Sequence, residues 1–308
     1  MSLTRRHFVA ASASLLGFAA AGQSLAAVPW STGEQPPRLK FPSGSVDCHM
    51  HLFDDRVPPV PNAKLRPPNA TLADYQQLQE RLGVHRMVIV TPSTYGFNNQ
   101  VLMDGLEASN GNARGVAVIE PTISDYDLQK MHAAGVRGVR INLSFGGAGI
   151  EYLEPLAARV NELGWHVQFV SPGKALPGLE ARLRKLPGTV VIDHLGEVEQ
   201  PGGFGSEPFK VLQRLLDTDK VWIKLSGAYI SSAVGAPSYE DYGQLAGLLV
   251  AKRPDRFVWG SDWPHVTEKG SKPDDALLAD LLLEWIPSES IRNQILSLNP
   301  SKLYGFPT

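Results

Sequence analysis

From residue 45 onward, short apolar runs alternate with longer stretches whose apolar residues recur every three or four positions. The short runs lie at 45–49, 86–91, 114–120, 136–143, 165–170, 190–194, 221–225 and 257–260, each bounded by Gly, Pro or polar residues. Near-continuous runs of Val and Ile at this length predict strands buried on both faces, as in a parallel sheet. The intervening stretches at 72–82, 100–109, 125–134, 152–163, 179–186, 208–216, 239–251 and 274–285 predict helices. Ser124 stands where an N-cap belongs, and Gly135 and Gly164 where helices stop. Eight strands alternating with eight helices predict an α/β chain, a single-domain (β/α)8 TIM barrel over 45–308, with 291–304 as a closing C-terminal helix. An open doubly wound sheet is the alternative. Gly146-Gly147-Ala148-Gly149 lacks the spacing and the immediate helix of a dinucleotide loop, and so reads as an ordinary loop. Residues 27–44 read as an irregular lead-in.

The first 26 residues do not share this pattern. Arg5-Arg6-His7-Phe8 precedes a short Ala/Ser/Leu/Gly run that ends in Ser24-Leu25-Ala26. A charged start, a short apolar middle and small residues at the end form an export signal, and the paired arginines place it in the twin-arginine class. The apolar run falls short of the ~20 residues that span a bilayer. The expectation is cleavage after Ala26, a periplasmic product carried by the twin-arginine export machinery, and no stable membrane insertion after cleavage. Losing two arginines and no acid takes the formal net charge from −2 to −4, and no basic stripe for nucleic acid remains. Arg182-Leu183-Arg184-Lys185 reads as a solvated helix face. Cys48 is the lone cysteine, so no internal disulfide forms.

The chemistry of a parallel barrel lies at the C-terminal ends of its strands. The first strand ends Asp47-Cys48-His49-Met50-His51. A period of two sends His49 and His51 to one side and Cys48 and Met50 to the other, so the imidazoles can grip a divalent metal or a substrate oxygen while Cys48 is a buried thiol. The sixth strand ends at His194, which shares parity with Val190 and Ile192. The eighth leads into Asp262, then Trp263-Pro264-His265, and an acid at an apolar mouth suits a metal ligand or a general base. Arg140 and Asn142 share a face of strand four, where an inward guanidinium can take a carboxylate. Lys224 and Ser226 share the inward face of strand seven, with a deep ion pair as the alternative role for Lys224. Ser93, Tyr95 and Asn98 sit on the second βα loop, where polar groups orient ligands, and His265 joins the substrate-contact candidates.

His49-x-His51, His194 and Gly260-Ser261-Asp262-Trp263-Pro264, each at its own strand, resemble the amidohydrolase superfamily. The resemblance is to its lactonase branch, which includes enzymes acting on pyrone-dicarboxylate lactone, sulfomuconolactone and galactarolactone. Val46-Asp47-Cys48-His49-Met50-His51, Pro92-Ser93-Thr94-Tyr95-Gly96 with Asn98, Arg137-Gly138-Val139-Arg140-Ile141-Asn142 and Asn299-Pro300 extend it from Val46 to Tyr304. It implies Asp262 as proton-transfer residue, and His49, His51 and His194 as contacts to a metal or a substrate carbonyl. Two departures stand out. The histidine that metal-dependent members carry at the end of strand five is absent, since His166 opens that strand, and strand four ends Asn142-Leu143. The arginines of the pyrone-dicarboxylate enzyme are replaced by Ser144-Phe145 and Glu197, which argues against that substrate. The resemblance thus implies either one divalent metal such as zinc on His49, His51 and Asp262, or metal-free catalysis. The expected activity is hydrolysis of a small anionic lactone or related ester. Lactone isomerisation or non-oxidative decarboxylation on the same site are alternatives within enzymes, and an exported ligand-binding protein on an inactive barrel is the alternative outside them.

Overall fold

The computed structural model describes residues 27–268 and 270–307; the expected export signal lies outside them. Eight parallel strands follow one another around the sheet in sequence order: β1 (Val46–Met50), β2 (Arg86–Val90), β3 (Ala113–Ala117), β4 (Val136–Asn142), β5 (His166–Val170), β6 (Val190–Ile192), β7 (Val221–Leu225) and β8 (Phe257–Trp259). The seam closes beyond β8, where the Asp262 amide donates to the His49 carbonyl and the His51 amide to the Trp263 carbonyl, both at 2.8 Å. Helices α1 (Leu72–Leu82), α2 (Gln100–Ala108), α3 (Asp125–Ala134), α4 (Leu153–Asn161), α5 (Leu176–Lys185) and α6 (Glu207–Leu216) alternate with the strands. After β7 come the short α7 (Ala228–Ser231) and α8 (Glu240–Lys252), and after β8 comes α9 (Asp275–Trp285). The expected closing helix is three pieces: α10 (Glu289–Asn293), a π turn (Gln294–Leu298) and α11 (Asn299–Tyr304). No helix among the described residues is long and apolar enough to cross a membrane.

Local chemistry sets the element ends. Thr71 and Asp74 form a reciprocal capping box that starts α1, and the Ser124 side chain caps α3, which Gly135 ends in the left-handed region. The lead-in has no helix or strand of its own. It is strapped to the barrel by Arg81 of α1, which donates to the carbonyls of Thr32, Gly33 and Gln35, and by Asp280 of α9, which accepts from Arg38 and the Leu39 amide.

Inside the barrel the side chains are layered by polarity. Val46, Cys48, Val88, Val90, Val116, Val191, Trp222 and Val258 form an apolar cluster with Tyr304 and Phe306 of the C-terminal segment. His166, at the start of β5, meets the Tyr304 ring edge-on there, 5.3 Å between centroids, away from the mouth. Arg140, Gln168, Asp193 and Lys224 form a buried polar group next to this cluster.

Two strand ends break the alternation that the sequence predicts. Pairing runs Asp47↔Met87 and then Met50↔Ile89, so β1 carries one extra residue and a bulge turns Cys48 and His49 to the same interior. Cys48 therefore packs with the interior valines, not opposite His49 as strict parity requires; burial raises its thiol well above the usual range. In β6 it is Val191 that faces inward, while Val190 and Ile192 pack toward the helices. His194 leaves that parity because β6 ends at Ile192 and the backbone turns left-handed at His194 (φ 51°) and Leu195 (φ 50°).

Candidate active site

The seam between β1 and β8 brings His49, His51 and Asp262 together, and the turn after β6 adds His194. Asp47 fixes this corner. Its Oδ1 accepts the His49 and Ser261 amides at 3.1 and 3.0 Å, and its Oδ2 accepts the hydroxyls of Tyr75 (2.8 Å) and Ser261 (2.5 Å). Burial nonetheless pushes its carboxyl up to about 6. Gly260 is required where β8 passes β1, since a Cβ there would stand 2.7 Å from the His49 nitrogen.

The four groups converge closely. His49 Nε2 lies 3.3 Å from His51 Nε2 and 3.6 Å from Asp262 Oδ1, and His51 Nε2 lies 3.8 Å from the same oxygen. His51 Nδ1 is 2.7 Å from the Val90 carbonyl oxygen. A carbonyl only accepts, so Nδ1 carries the proton and Nε2 presents a lone pair to the centre. His194 is held through Nδ1 by Ser226 Oγ at 2.9 Å. Asp262 Oδ2 accepts the Tyr229 hydroxyl at 2.6 Å, and that hydroxyl is in turn 3.1 Å from His265 Nδ1, whose Nε2 meets Asp275 at 3.0 Å. Oδ1 is left facing the imidazoles.

Burial, aided by Arg140, lowers His51 to about 4, and burial drives His49 well below its ordinary value. Burial alone would raise Asp262, but the surrounding imidazoles and the Tyr229 hydroxyl hold it at about 2. Near neutral pH the mouth thus presents the ionised carboxylate of Asp262 beside the neutral imidazoles of His49 and His51. Asp262 (φ 63°), His194 and His265 (φ 55°) all sit in the left-handed region that side chains usually avoid, the kind of local strain that concentrates at functional sites.

Beneath the site is a charge group that sequence reading missed in part. Asp193 faces inward with its Oδ1 3.3 Å from His49 Nδ1 and 3.7 Å from Lys224 Nζ, and its Oδ2 accepts from Arg140 (3.2 Å) and Gln168 (3.0 Å). Burial opposes its ionisation, yet His49, Lys224 and Arg140 together hold it well below the usual carboxylate range. Lys224 also donates to the Cys48 carbonyl and to Gln168 Oε1, both at 2.7 Å, and burial lowers it to about 8. Lys224 is therefore the deep ion pair, not a group at the mouth. Arg140 finds its partner in Asp193. His49 Nδ1 is 3.3 Å from both Asp193 Oδ1 and Lys224 Nζ.

Of the other expected contacts, Ser93, Arg140 and Asn142 line the mouth with His51, His194 and Asp262. Asn142 Oδ1 also accepts the Ser144 and Phe145 amides. Ser226 and His265 act behind the site, through His194 and Tyr229. Tyr95 and Asn98 do not join it. The Tyr95 hydroxyl is engaged with the Asp54 backbone, and Asn98 caps Gln100 and faces a separate groove of about 630 Å3 beside α2 and α3. That groove is larger than the mouth but contains none of the histidines. The mouth itself holds only ≈ 30 Å3 of free space beneath Phe53, Leu65, Phe145, Ile230 and Val266, room for a few waters. Tyr229 and Asp193 carried no usable signal: one sits on a four-residue helix, and the other was hidden by the assumed parity of β6.

The donor set fits a metal ion. One ligand atom from each of His49, His194 and Asp262 lies within 4.8 Å of the others, all buried. Two nitrogens bound tetrahedrally at ~2.0–2.1 Å stand about 3.4 Å apart, close to the 3.3 Å between His49 and His51. The Asp193 carboxylate behind His49 is the outer partner that metal-bound histidines ordinarily have. Histidine nitrogens with one carboxylate suit zinc.

Comparison with known proteins identifies the family of the chain and several relatives. The amidohydrolase family pattern matches residues 46–306. The chain is 35% identical over 290 residues to 2-pyrone-4,6-dicarboxylate hydrolase of Comamonas testosteroni, covering 89% of this chain and 94% of that one. It is 32% identical over 273 residues to D-galactarolactone isomerase of Agrobacterium fabrum, covering 87% and 93%. A crystal structure from Agrobacterium tumefaciens superposes with a TM-score of 0.84 at 30% identity, over 90% of this chain and 99% of the other. With the family pattern spanning the barrel from its first strand to its last helix, the chain belongs to the amidohydrolase family.

Proposed function

We propose that this enzyme hydrolyses the ester bond of a small lactone that carries a carboxylate. The observation that carries the reading is Asp262, ionised and anchored through Oδ2 by Tyr229, with Oδ1 turned to the imidazoles at the mouth. The named relatives act on lactones. In the scheme, Asp262 Oδ1 accepts a proton from water as the water oxygen bonds to the ring carbonyl carbon. The acyl–oxygen bond of the ring then breaks, and Asp262 returns the proton to the departing ring oxygen. Arg140, which meets Asp193 through Nη2 alone, orients the substrate carboxylate with Asn142 and Ser93, which line the same mouth. His49, His194 and Asp262, with His51 beside them, would hold a divalent metal such as zinc, which when bound polarises the carbonyl and acidifies water.

A panel of carboxylated γ- and δ-lactones, followed by proton release and by NMR of the products, tests the reading; no acid release from any of them would overturn it. Isomerisation to a lactone of different ring closure is the second reading, supported by the isomerase relative. The same NMR experiment separates the two, because an isomer forms without net acid.

Tyr229→Phe removes one hydrogen bond to an ionised carboxylate, an interaction of ~1.5–3 kcal/mol. We expect kcat to fall roughly tenfold or more with KM little changed, measured by steady-state kinetics on the best lactone. An unaltered kcat would mean that Tyr229 does not orient the base.

The proposed location is the periplasm, by way of the Arg5-Arg6 signal. Replacing both arginines by lysine should leave precursor in the cytoplasm, while the unaltered protein recovered from the periplasm should begin near Ala27. Intact Met1 on periplasmic protein would contradict this.

A further inference from the structure

The mouth holds a second buried carboxylate that the hydrolytic scheme leaves unused. Glu197 follows β6 with a left-handed backbone (φ 47°). Gly173 runs so close to it that a Cβ there would stand 2.3 Å from the Glu197 carbonyl oxygen, so the Glu197 backbone is packed from behind. Oε2 accepts the Ser144 hydroxyl at 3.1 Å. Oε1 is buried and has no hydrogen-bond partner. Glu197 makes no ion pair among the described residues, and Arg140, the cation lining the same cavity, is bound to Asp193. The side chain lines the mouth together with Arg140, Asn142, His194 and Asp262.

A buried acceptor left without a donor is costly, so this oxygen is built to receive one from what enters the mouth. A second carboxylate on the substrate cannot supply it, because two anions at hydrogen-bond distance in a desolvated site repel. An ammonium would meet the field of Arg140 and would be stripped of water against Phe145, Val170, Ile230 and Val266, which line the same space. A hydroxyl group meets neither objection, and Ser144 already satisfies the other oxygen with the same chemistry.

We propose that Glu197 is a specificity residue that accepts a hydrogen bond from a substrate hydroxyl, so that the enzyme selects a hydroxylated lactone bearing no more than one carboxylate. This rests on the lactone reading above. The experiment compares kcat/KM for 5-oxotetrahydrofuran-2-carboxylate, its 3,4-dihydroxy derivative and homoserine lactone, in wild type, Glu197→Met and Glu197→Gln. A site built to bond a hydroxyl discriminates strongly against an analogue that lacks it. Wild type should favour the dihydroxy lactone over the bare ring by at least about tenfold. Glu197→Met should bring that ratio close to one, and Glu197→Gln, which keeps an acceptor, should leave it in between. A ratio unchanged in Glu197→Met, no preference in wild type, or a preference for homoserine lactone would each overturn the proposal. Should the Met variant not fold, an unchanged ratio in Glu197→Gln overturns it equally. If wild type opens none of the lactones, it is the lactone reading that fails.

Discussion

Asp262→Asn should abolish most turnover while leaving the fold in place. The amide keeps the size of the carboxylate and can still accept the Tyr229 hydroxyl at the 2.6 Å position, but it cannot take a proton from water. Loss of a positioned general base costs ~10²–10⁴-fold, and we expect kcat to fall at least 10²-fold. The backbone at residue 262 has φ 63°, a conformation that asparagine tolerates as well as aspartate does, so no strain is added. A thermal melt recorded beside the kinetics should therefore move little. Near-normal turnover would remove Asp262 from the mechanism. A large loss of melting temperature would show that the charge is structural.

The opposite pattern is expected for Asp193→Asn. Asp193 is the anion between the Arg140 guanidinium, the Lys224 ammonium and His49, all buried. Removing one partner of a buried charge group leaves the others uncompensated, typically at ~3–5 kcal/mol. At ~2–4 °C per kcal/mol for a chain of this size, the melting temperature should drop by roughly 10 °C. The deficit should also depend on pH. Burial already lowers Lys224 to about 8, below its unfolded value near 10.4, and without Asp193 it falls further. The unfolded chain then binds the extra proton, so stability rises with pH across that window. The deficit is predicted to be larger at pH 6 than at pH 9. A deficit that is absent, or constant across this range, would show that Asp193 does not balance Lys224. The same network bears on Arg140: Arg140→Met should lower the melting temperature as well, since it removes a partner of Asp193.

The residues themselves announced much of this. Eight Val- and Ile-rich runs alternating with amphipathic stretches point to a parallel sheet covered by helices, and the count of eight with no phosphate-binding glycine loop favours the closed barrel over an open doubly wound sheet. The helix at Leu72–Leu82 lies where its periodicity places it, and that at Asp125–Ala134 where its periodicity and its Ser124 and Gly135 caps place it. Polar residues at strand ends, where a core wants apolar ones, marked His49, His51, His194 and Asp262 in advance.

What parity could not supply was direction at the strand ends. The bulge in β1 sends Cys48 and His49 to the same interior, and the left-handed turn at His194 carries it away from the side of Val190 and Ile192. Both departures come from long-range packing: β1 must meet β8 at Gly260, and the turn after β6 must pass Gly173. The pairing of Lys224 with Asp193, the Tyr229 hydrogen bond to Asp262 and the unpartnered oxygen of Glu197 likewise join residues from different strands and loops. The local sequence thus determined which segments are strands and helices, their order around the barrel and the polar residues at its mouth, because periodicity and caps act over a few residues. Only the tertiary structure decided which side chains face one another there, because that is set by closing the sheet and by satisfying buried charges across it.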